Sequence, residues 1–461
     1  MLTILEILII LSNFIAILLP LLPIKRTTRF LDFIPLASVV LLILHLFIDN
    51  EPVRFRFMPL YIFTITMFLV TIVRIFKHNP DRPKKTVFLV MNRVFSLVLL
   101  AVCVFIPTVI IPFHSLPEPT GEFNVGTTVS DFVYEDRFET FSKEEGKLRK
   151  IAVQFWYPTD RPGSEVLYDI IDAPVSTNQK SYPLLIFSHG AFGVRMSNAS
   201  TFRELASHGY IVASIDHTYH SFYTSFDEGG VAIVNNEFIN NAIGVSNGDI
   251  TGEEAFGITH DWLELRTSDI GLVIDSLKSG NSGAAGKLLN GYIDFDKIGL
   301  FGHSLGGAAS AQVARERDDI KAAIVIDGTM IGDITGLNAD DTEIITDESF
   351  NKPLMQMYGS LFLEPGGKES SYLPNINAFN NSTAASYSLS IKDSGHLNFT
   401  DLPRISPFLS EKLGIGTIDS FKCIKIVNEY SLGFFNKHLK GEGETVLDAV
   451  PVYNEVVFEK R

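Results

Sequence analysis

The chain has 461 residues, 46% of them hydrophobic and 20% charged, and a mean hydropathy of +0.20, which excludes a disordered chain and is high for a wholly soluble one. Residues 1–115 hold 11 basic and 5 acidic residues, and the remainder holds 27 and 48. An excess of negative charge in that larger part excludes a nucleic-acid partner, whose phosphates it would repel.

Four apolar runs come first: Leu2–Leu22, Phe30–Ile48, Met58–Val73 (extendable to Phe76) and Phe95–Phe113 (longer if Arg93 snorkels). Each approaches the roughly 20 residues that cross a bilayer, and four such runs offer water no polar face. The first lacks a basic leader and a small-residue cleavage site, so it reads as an uncleaved span ended by Pro20 and Pro23. Lys25, Arg26 and Arg29 follow it, and Arg74, Lys77, Arg82, Lys84 and Lys85 follow the third run. Between the second and third, Asp49, Glu51, Arg54 and Arg56 cancel, while Asp32 sits near the start of the second. The positive-inside rule then puts loops one and three in the cytoplasm, and everything after Phe113 on the extracytoplasmic side. Glu6, His45 and Arg93 are too few ionisable groups for an ion path, so anchoring is the simpler role. The expected domains are a membrane region over 1–114 and a catalytic domain over 115–461, joined by a Pro- and Gly-containing linker from His114 to Gly121.

The remainder alternates short apolar strands with helical stretches. Strands are predicted at Ile151–Tyr157, Leu184–Phe187, Ile211–Ile215, Ile298–Phe301, Ala322–Ile326, Leu354–Tyr358 and Ser386–Ile391. Helices are predicted at Phe202–His208, Trp262–Leu277, after Phe301 to about Arg315, and at Ile424–Leu439. This pattern means an α/β fold, a mostly parallel central sheet with helices on both faces. Ser221–His260 is too long and polar for an ordinary connection, and reads as a cap or as a surface insertion.

Four stretches carry chemistry. Gly302-His303-Ser304-Leu305-Gly306, between a strand and a small-residue helix, fits a nucleophile elbow that lifts the Ser304 hydroxyl above the sheet edge. Asp327 ends the next strand, where a carboxylate can orient a histidine; Glu364, after the following strand, competes for that role, and position alone leaves both open. His396, on a Gly turn after a strand, completes the chain order Ser–acid–His and is the candidate general base, whereas His438 reads as a solvated helix-end residue. In Ser188-His189-Gly190-Ala191 a turn can aim a backbone N–H at an oxyanion, with the Leu305 N–H as second donor; His189 reads as a ring that holds the loop, with a catalytic role as its rival. His217 and His220 have no third-ligand pattern, so no metal is expected. Asp216 and His217 fit beside the mouth of the site. Cys103 and Cys423 exclude a disulfide framework and a thiolate metal site. Asn198, Asn381 and Asn398 stand in glycosylation-acceptor patterns, and a glycan on Asn398 would block the site.

FSHGAFG (Phe187–Gly193), ELASHGYIVASIDH (Glu204–His217), GLFGHSLGGA (Gly299–Ala308), IVID (Ile324–Asp327) and SGHLNFTD (Ser394–Asp401), with WYP at Trp156–Pro158, resemble the plasma-type (isoform II) platelet-activating factor acetylhydrolase family of α/β-hydrolases. The similarity runs in patches over about Gly126–Leu439. It implies Ser304 as nucleophile, His396 as base and Asp327 rather than Glu364 as the acid, since in that family the acid follows the strand right after the nucleophile. It also implies Ala191 and Leu305 as oxyanion donors, no metal or cofactor, and cleavage of short or oxidised acyl chains from phospholipids. The four N-terminal runs, Ser221–His260 and Gly332–Asn351 depart from the family. The expectation is a multi-pass membrane-anchored serine ester hydrolase acting on an ester or lipid substrate, with oligomeric state open. The rivals are a peptidase or amidase with the same triad, and a non-catalytic receptor or scaffold.

Overall fold

The computed structural model describes residues 3–21, 34–48, 55–76, 86–112, 115–142, 144, 146–162, 169–367 and 372–461. They form two compact units, one of residues 1–115 with 404–412 and one of 116–403 with 413–461.

In the first unit the apolar runs are helices: α1 (Ile4–Leu18), α2 (Ile34–Ile48), α3 (Met58–Phe76) and α4 (Thr86–Phe105), the last continuing as a wider turn over Ile106–Ile110. Thr3 and Glu6 cap α1 reciprocally, each side chain accepting from the other's backbone N–H. These helices bury an apolar cluster that includes Ile9, Ile17, Leu60 and Phe63, and pair several polar side chains beside it, while their outer faces are apolar. Asn13 Nδ2 donates to Thr64 Oγ1 at 2.9 Å, Ser12 bonds Ser38 at 2.8 Å, and His45 Nε2 lies 2.7 Å from the Tyr61 hydroxyl. Leu11, Phe14, Leu69 and Phe95 face outward. That arrangement suits a surrounding hydrocarbon, where polar groups must find partners within the bundle.

Among the described residues one helix, Val87–Ile110, is long and apolar enough to cross a membrane, at 24 residues. The expectation of four such spans is thereby reduced. α1 and α2 have 15 residues each, about 22 Å at 1.5 Å per residue, against about 30 Å of hydrocarbon. The fourth run also starts earlier than Phe95, because Arg93 is buried within α4. The charges used for orientation at Lys25, Arg26, Arg29, Asp32, Asp49, Glu51, Arg54, Lys77, Arg82, Lys84 and Lys85 lie outside the described residues, as do Pro23 and His114.

The second unit holds fourteen strands among its described residues: β1 (Asn124–Phe138), β2 (Leu148–Thr159), β3 (Asp169–Ile171), β4 (Tyr182–Ser188), β5 (Ile211–Asp216), β6 (Tyr223–Ser225), β7 (Val231–Ile233), β8 (Ile293–His303), β9 (Ile320–Ile326), β10 (Ile334–Leu337), β11 (Glu343–Ile345), β12 (Leu354–Tyr358), β13 (Ser386–Ile391) and β14 (Val456–Lys460). Ten of them make one sheet in the order β14-β13-β12-β9-β8-β4-β5-β2-β1-β3. From β13 to β5 all pairs are parallel; β14 and β2 join antiparallel. The predicted strands are all present. β1, β3 and β14 extend the sheet beyond them.

Alternate residues of the central strands enter opposite cores, as the two-residue period of a strand requires. Leu184, Ile186, Leu300 and Val325 pack against α7 (Gly252–Ser279) and α9 (Leu305–Glu316) on one face. Leu185, Phe187, Phe301 and Ile324 pack against α5 (Ala199–Ser207) and the helix Ser420–Phe435 on the other. The Ser221–His260 stretch folds as the β6–β7 hairpin, the helix α6 (Asn236–Asn247) and the first turns of α7. Gly332–Asn351 contains the β10–β11 hairpin.

Candidate active site

Parallel strands bring their carboxyl ends to one edge, and the predicted catalytic side chains gather there. Ser304 follows β8 directly and precedes α9. Its backbone has φ +54° and ψ −126°, a strained conformation for a residue with a side chain. The turn closes only because its neighbours are glycines: a Cβ on Gly306 would lie 2.0 Å from the Ser188 carbonyl oxygen. The Ser304 N–H donates to the Ile326 carbonyl at 2.8 Å, which ties the elbow to the end of β9.

Asp327 follows β9, and its Oδ2 lies 2.8 Å from His396 Nδ1. Its Oδ1 accepts from the Gly359 N–H at 2.9 Å and from the Tyr372 hydroxyl at 3.0 Å. Burial by itself would raise the Asp327 pKa. The hydrogen bond and charge of His396, with the Gly359 N–H, outweigh it and hold the carboxyl below its usual value. With the Asp327 carboxylate ionised, Nδ1–H of His396 is the donor of this hydrogen bond, which directs Nε2 away from Asp327. His396 itself stands half-exposed on a short turn. Asn398 Oδ1 accepts from the Gly395 N–H at 2.8 Å and the Gly416 N–H at 2.7 Å, fixing that turn. Asn398 is fully buried, so its Nδ2 has no room for a glycan in the folded protein; Asn198 is buried too, while Asn381 is exposed.

Glu364 is not brought to the histidine. It is exposed at the end of the turn Ser360–Leu363. His438 differs from its expected solvated state: it is half-buried against Phe434 and Tyr387, and burial pulls its pKa down to about 4.

His303, beside Ser304, is buried, and its Nε2 lies 3.0 Å from the His396 carbonyl. Burial, then the charge of His396, pulls its pKa down to about 3, so it stays neutral. The Ser188–Ala191 turn lies against the elbow, since a Cβ on Gly190 would sit 3.1 Å from the Ser304 Cβ. His189 braces this turn: it is fully buried, with Nδ1 2.6 Å from the Gly190 carbonyl and Nε2 2.7 Å from Ser221 Oγ. Among the described residues no protein group accepts a hydrogen bond from the N–H of Ala191 or Leu305.

His217 is tied off on both sides, Nδ1 to Asp269 at 2.9 Å and Nε2 to Ser188 at 2.8 Å. His220 stacks on Phe238 at 3.9 Å, and Asp216 pairs with Arg195 at 2.8 Å. Two partners escaped the sequence reading, Tyr372 on Asp327 and Arg266 on the Ser188–Ala191 turn. Neither sits in a motif, and no local signal marks them.

Comparison with known proteins agrees with this architecture. A ferulic acid esterase from Streptomyces cinnamoneus superposes with a TM-score of 0.58 at 24% identity, over 74% of this chain and 97% of that one, which shows the α/β-hydrolase fold. Platelet-activating factor acetylhydrolase from Bos taurus is 27% identical over 289 residues, and that from Canis lupus familiaris 26% over 285; each alignment covers 58% of this chain and 59% of the relative. A probable 1-alkyl-2-acetylglycerophosphocholine esterase from Arthroderma benhamiae is 24% identical over 290 residues, covering 60% of this chain and 66% of the relative. The chain thus spans about three fifths of the length of the mammalian relatives. The family model for platelet-activating factor acetylhydrolase, isoform II, matches residues 161–448, more than half of the chain, and the chain belongs to that family.

Proposed function

We propose that this protein is a membrane-anchored serine carboxylic-ester hydrolase, with residues 1–114 as the anchor and 115–461 as an extracytoplasmic catalytic domain. The observation that carries the reading is the 2.8 Å bond between Asp327 and His396, beside a serine held at φ +54° on a nucleophile elbow. In this mechanism His396 Nε2 takes the Ser304 hydroxyl proton as Oγ attacks the ester carbonyl carbon. The Ala191 and Leu305 N–H groups bind the resulting oxyanion. Collapse breaks the bond to the alcohol, which leaves with the proton from His396. Water then gives a proton to His396 and attacks the acyl-enzyme, and Ser304 leaves reprotonated. No cofactor is needed. The relatives' names specify an acetyl ester of a phospholipid, so a short acyl chain on an amphipathic alcohol is the favoured substrate, and an anchor in the same chain keeps the enzyme near such lipids.

The test is fluorophosphonate labelling of membranes carrying wild type or Ser304→Ala, followed by acetyl and dodecanoyl p-nitrophenyl esters. Labelling lost in Ser304→Ala, with faster turnover of the acetyl ester, supports the proposal. Folded wild-type protein that neither labels nor turns over would sink it in favour of a scaffold. Amide cleavage outpacing ester cleavage would favour a peptidase.

A further inference from the structure

Arg266, on α7, is fully buried. Among the described residues no carboxylate lies within ion-pair distance of it; Asp269, one turn on, is committed to Arg149 and His217. A buried guanidinium without such a partner carries a large desolvation cost, so its hydrogen bonds are where its role lies. Its Nη1 donates to the His189 carbonyl, and its Nη2 to the Gly190 carbonyl at 3.4 Å. The two arms of one planar fork thus hold two successive carbonyls of the turn beside the nucleophile.

A trans peptide points its C=O and the following N–H in opposite directions, and no described peptide bond is cis. Gripping the His189 and Gly190 carbonyls therefore turns the Gly190 and Ala191 N–H groups away from Arg266. Two successive N–H groups aimed one way form an anion-binding concavity. Neither N–H donates to a described protein group, and Gly190 packs on Ser304. The chain reverses just afterwards at Phe192, which has φ +61° and is held by its ring against Phe238 at 5.3 Å.

We infer that Arg266 is a positioning residue that aims the Ala191 N–H at the oxyanion by clamping the carbonyls behind it. This deepens the proposed hydrolase reading and rests on it. The conjugate charge sits one peptide plane behind the donor, so it also favours negative charge on the far side. Burial pulls the Arg266 pKa down to about 9, which leaves it protonated at neutral pH. Glutamine can hold one carbonyl but not two, and carries no charge. Lysine keeps the charge but loses the fork.

The experiment uses the full chain in detergent, with wild type, Arg266→Gln and Arg266→Lys. Active sites are counted by fluorophosphonate labelling to completion, so turnover is read per folded site. The expected result is a fall in kcat per labelled site of about 10²-fold in Arg266→Gln, as for the loss of one oxyanion donor, with KM within about threefold. Arg266→Lys should fall between the two. The inhibition constant of a trifluoromethyl ketone, which forms a tetrahedral oxyanion on the serine, should rise in proportion to the loss in kcat/KM. A purely structural role would lower the number of labelled sites and leave kcat per site within about threefold of wild type, which would overturn the inference. Loss of all labelling in both variants would overturn it too. Wild-type protein that does not label would instead refute the hydrolase reading beneath it.

Discussion

Asp327 meets His396 with one carboxylate oxygen, at 2.8 Å, and gives the other to the Gly359 N–H and the Tyr372 hydroxyl. Both oxygens are therefore engaged, and an ionised carboxylate there favours the tautomer that carries its proton on Nδ1. Asp327→Asn should lower kcat by roughly 10⁴-fold, because an amide can present N–H to Nδ1 and invert the tautomer. Glu364→Gln should leave kcat within about twofold. Tyr372→Phe removes one of two donors to Oδ1 and should cost less than about tenfold in kcat. Steady-state kinetics on p-nitrophenyl acetate separate the three. Equal losses in Asp327→Asn and Glu364→Gln would reject this acid.

The elbow makes a steric prediction. Gly306→Ala places a methyl 2.0 Å from the backbone oxygen of Ser188, and backbone cannot step aside cheaply. Active-site labelling should be lost. Gly257→Ala is the counterpart, since it lies exposed within α7 and its Cβ would meet nothing within 4 Å. Alanine is favoured over glycine in a helix by roughly 0.5–1 kcal/mol, so Tm should rise by about 1–2 °C with activity unchanged.

Behind the site, Arg149 is buried and donates to Asp269 at 2.9 and 2.7 Å and to Glu139 at 2.9 Å. Arg149→Met would strand two buried carboxylates, and a loss of about 3–5 kcal/mol is expected. Urea unfolding followed by circular dichroism measures it. A change below about 1 kcal/mol would mean that the network relaxes around the gap.

Acid should destabilise the second unit. Burial holds His189 and His220 well below the ordinary histidine pKa, His217 at about 4 and His303 at about 3. Below about pH 6.5 the unfolded chain takes up protons at these sites and the folded protein does not, so stability falls as pH drops through 6.5 toward 4. Asp216 and Asp401, both raised by burial to about 6, act in the opposite sense and add stability as pH falls through 6. Four histidines outweigh two acids, so Tm should be lower at pH 5 than at pH 7. His220 offers the sharpest check. Its two ring nitrogens are buried without a hydrogen-bond partner among the described residues, and its ring stacks on Phe238. His220→Phe should keep the stacking and flatten the pH dependence of Tm; an unaltered slope would exclude His220 as a contributor.

Much of this was legible locally. The Gly302–Gly306 turn announces itself because a strained strand-to-helix corner tolerates few residue types at its flanks. His396 was legible from its Gly turn after a strand, and the central strands from short apolar runs. β1 has no apolar run to mark it, because Thr, Ser, Asp and Glu interleave its apolar residues near the sheet's margin, where one face meets water. The fourth apolar run begins at Thr86 in the helix, since Arg93 is accommodated by burial.

By itself the sequence determined what depends on neighbours in the chain: the elbow, the alternation of strands and helices, the apolar character of the first quarter and its basic loops. The tertiary structure decided what depends on sheet order. Asp327 reaches His396 across 69 residues, and Arg266 reaches the His189 carbonyl across 77. Those meetings arise because parallel strands deliver their carboxyl ends to one edge in an order that backbone pairing sets. A side chain's own sequence neighbourhood carries no record of which distant carbonyl or imidazole will stand opposite it.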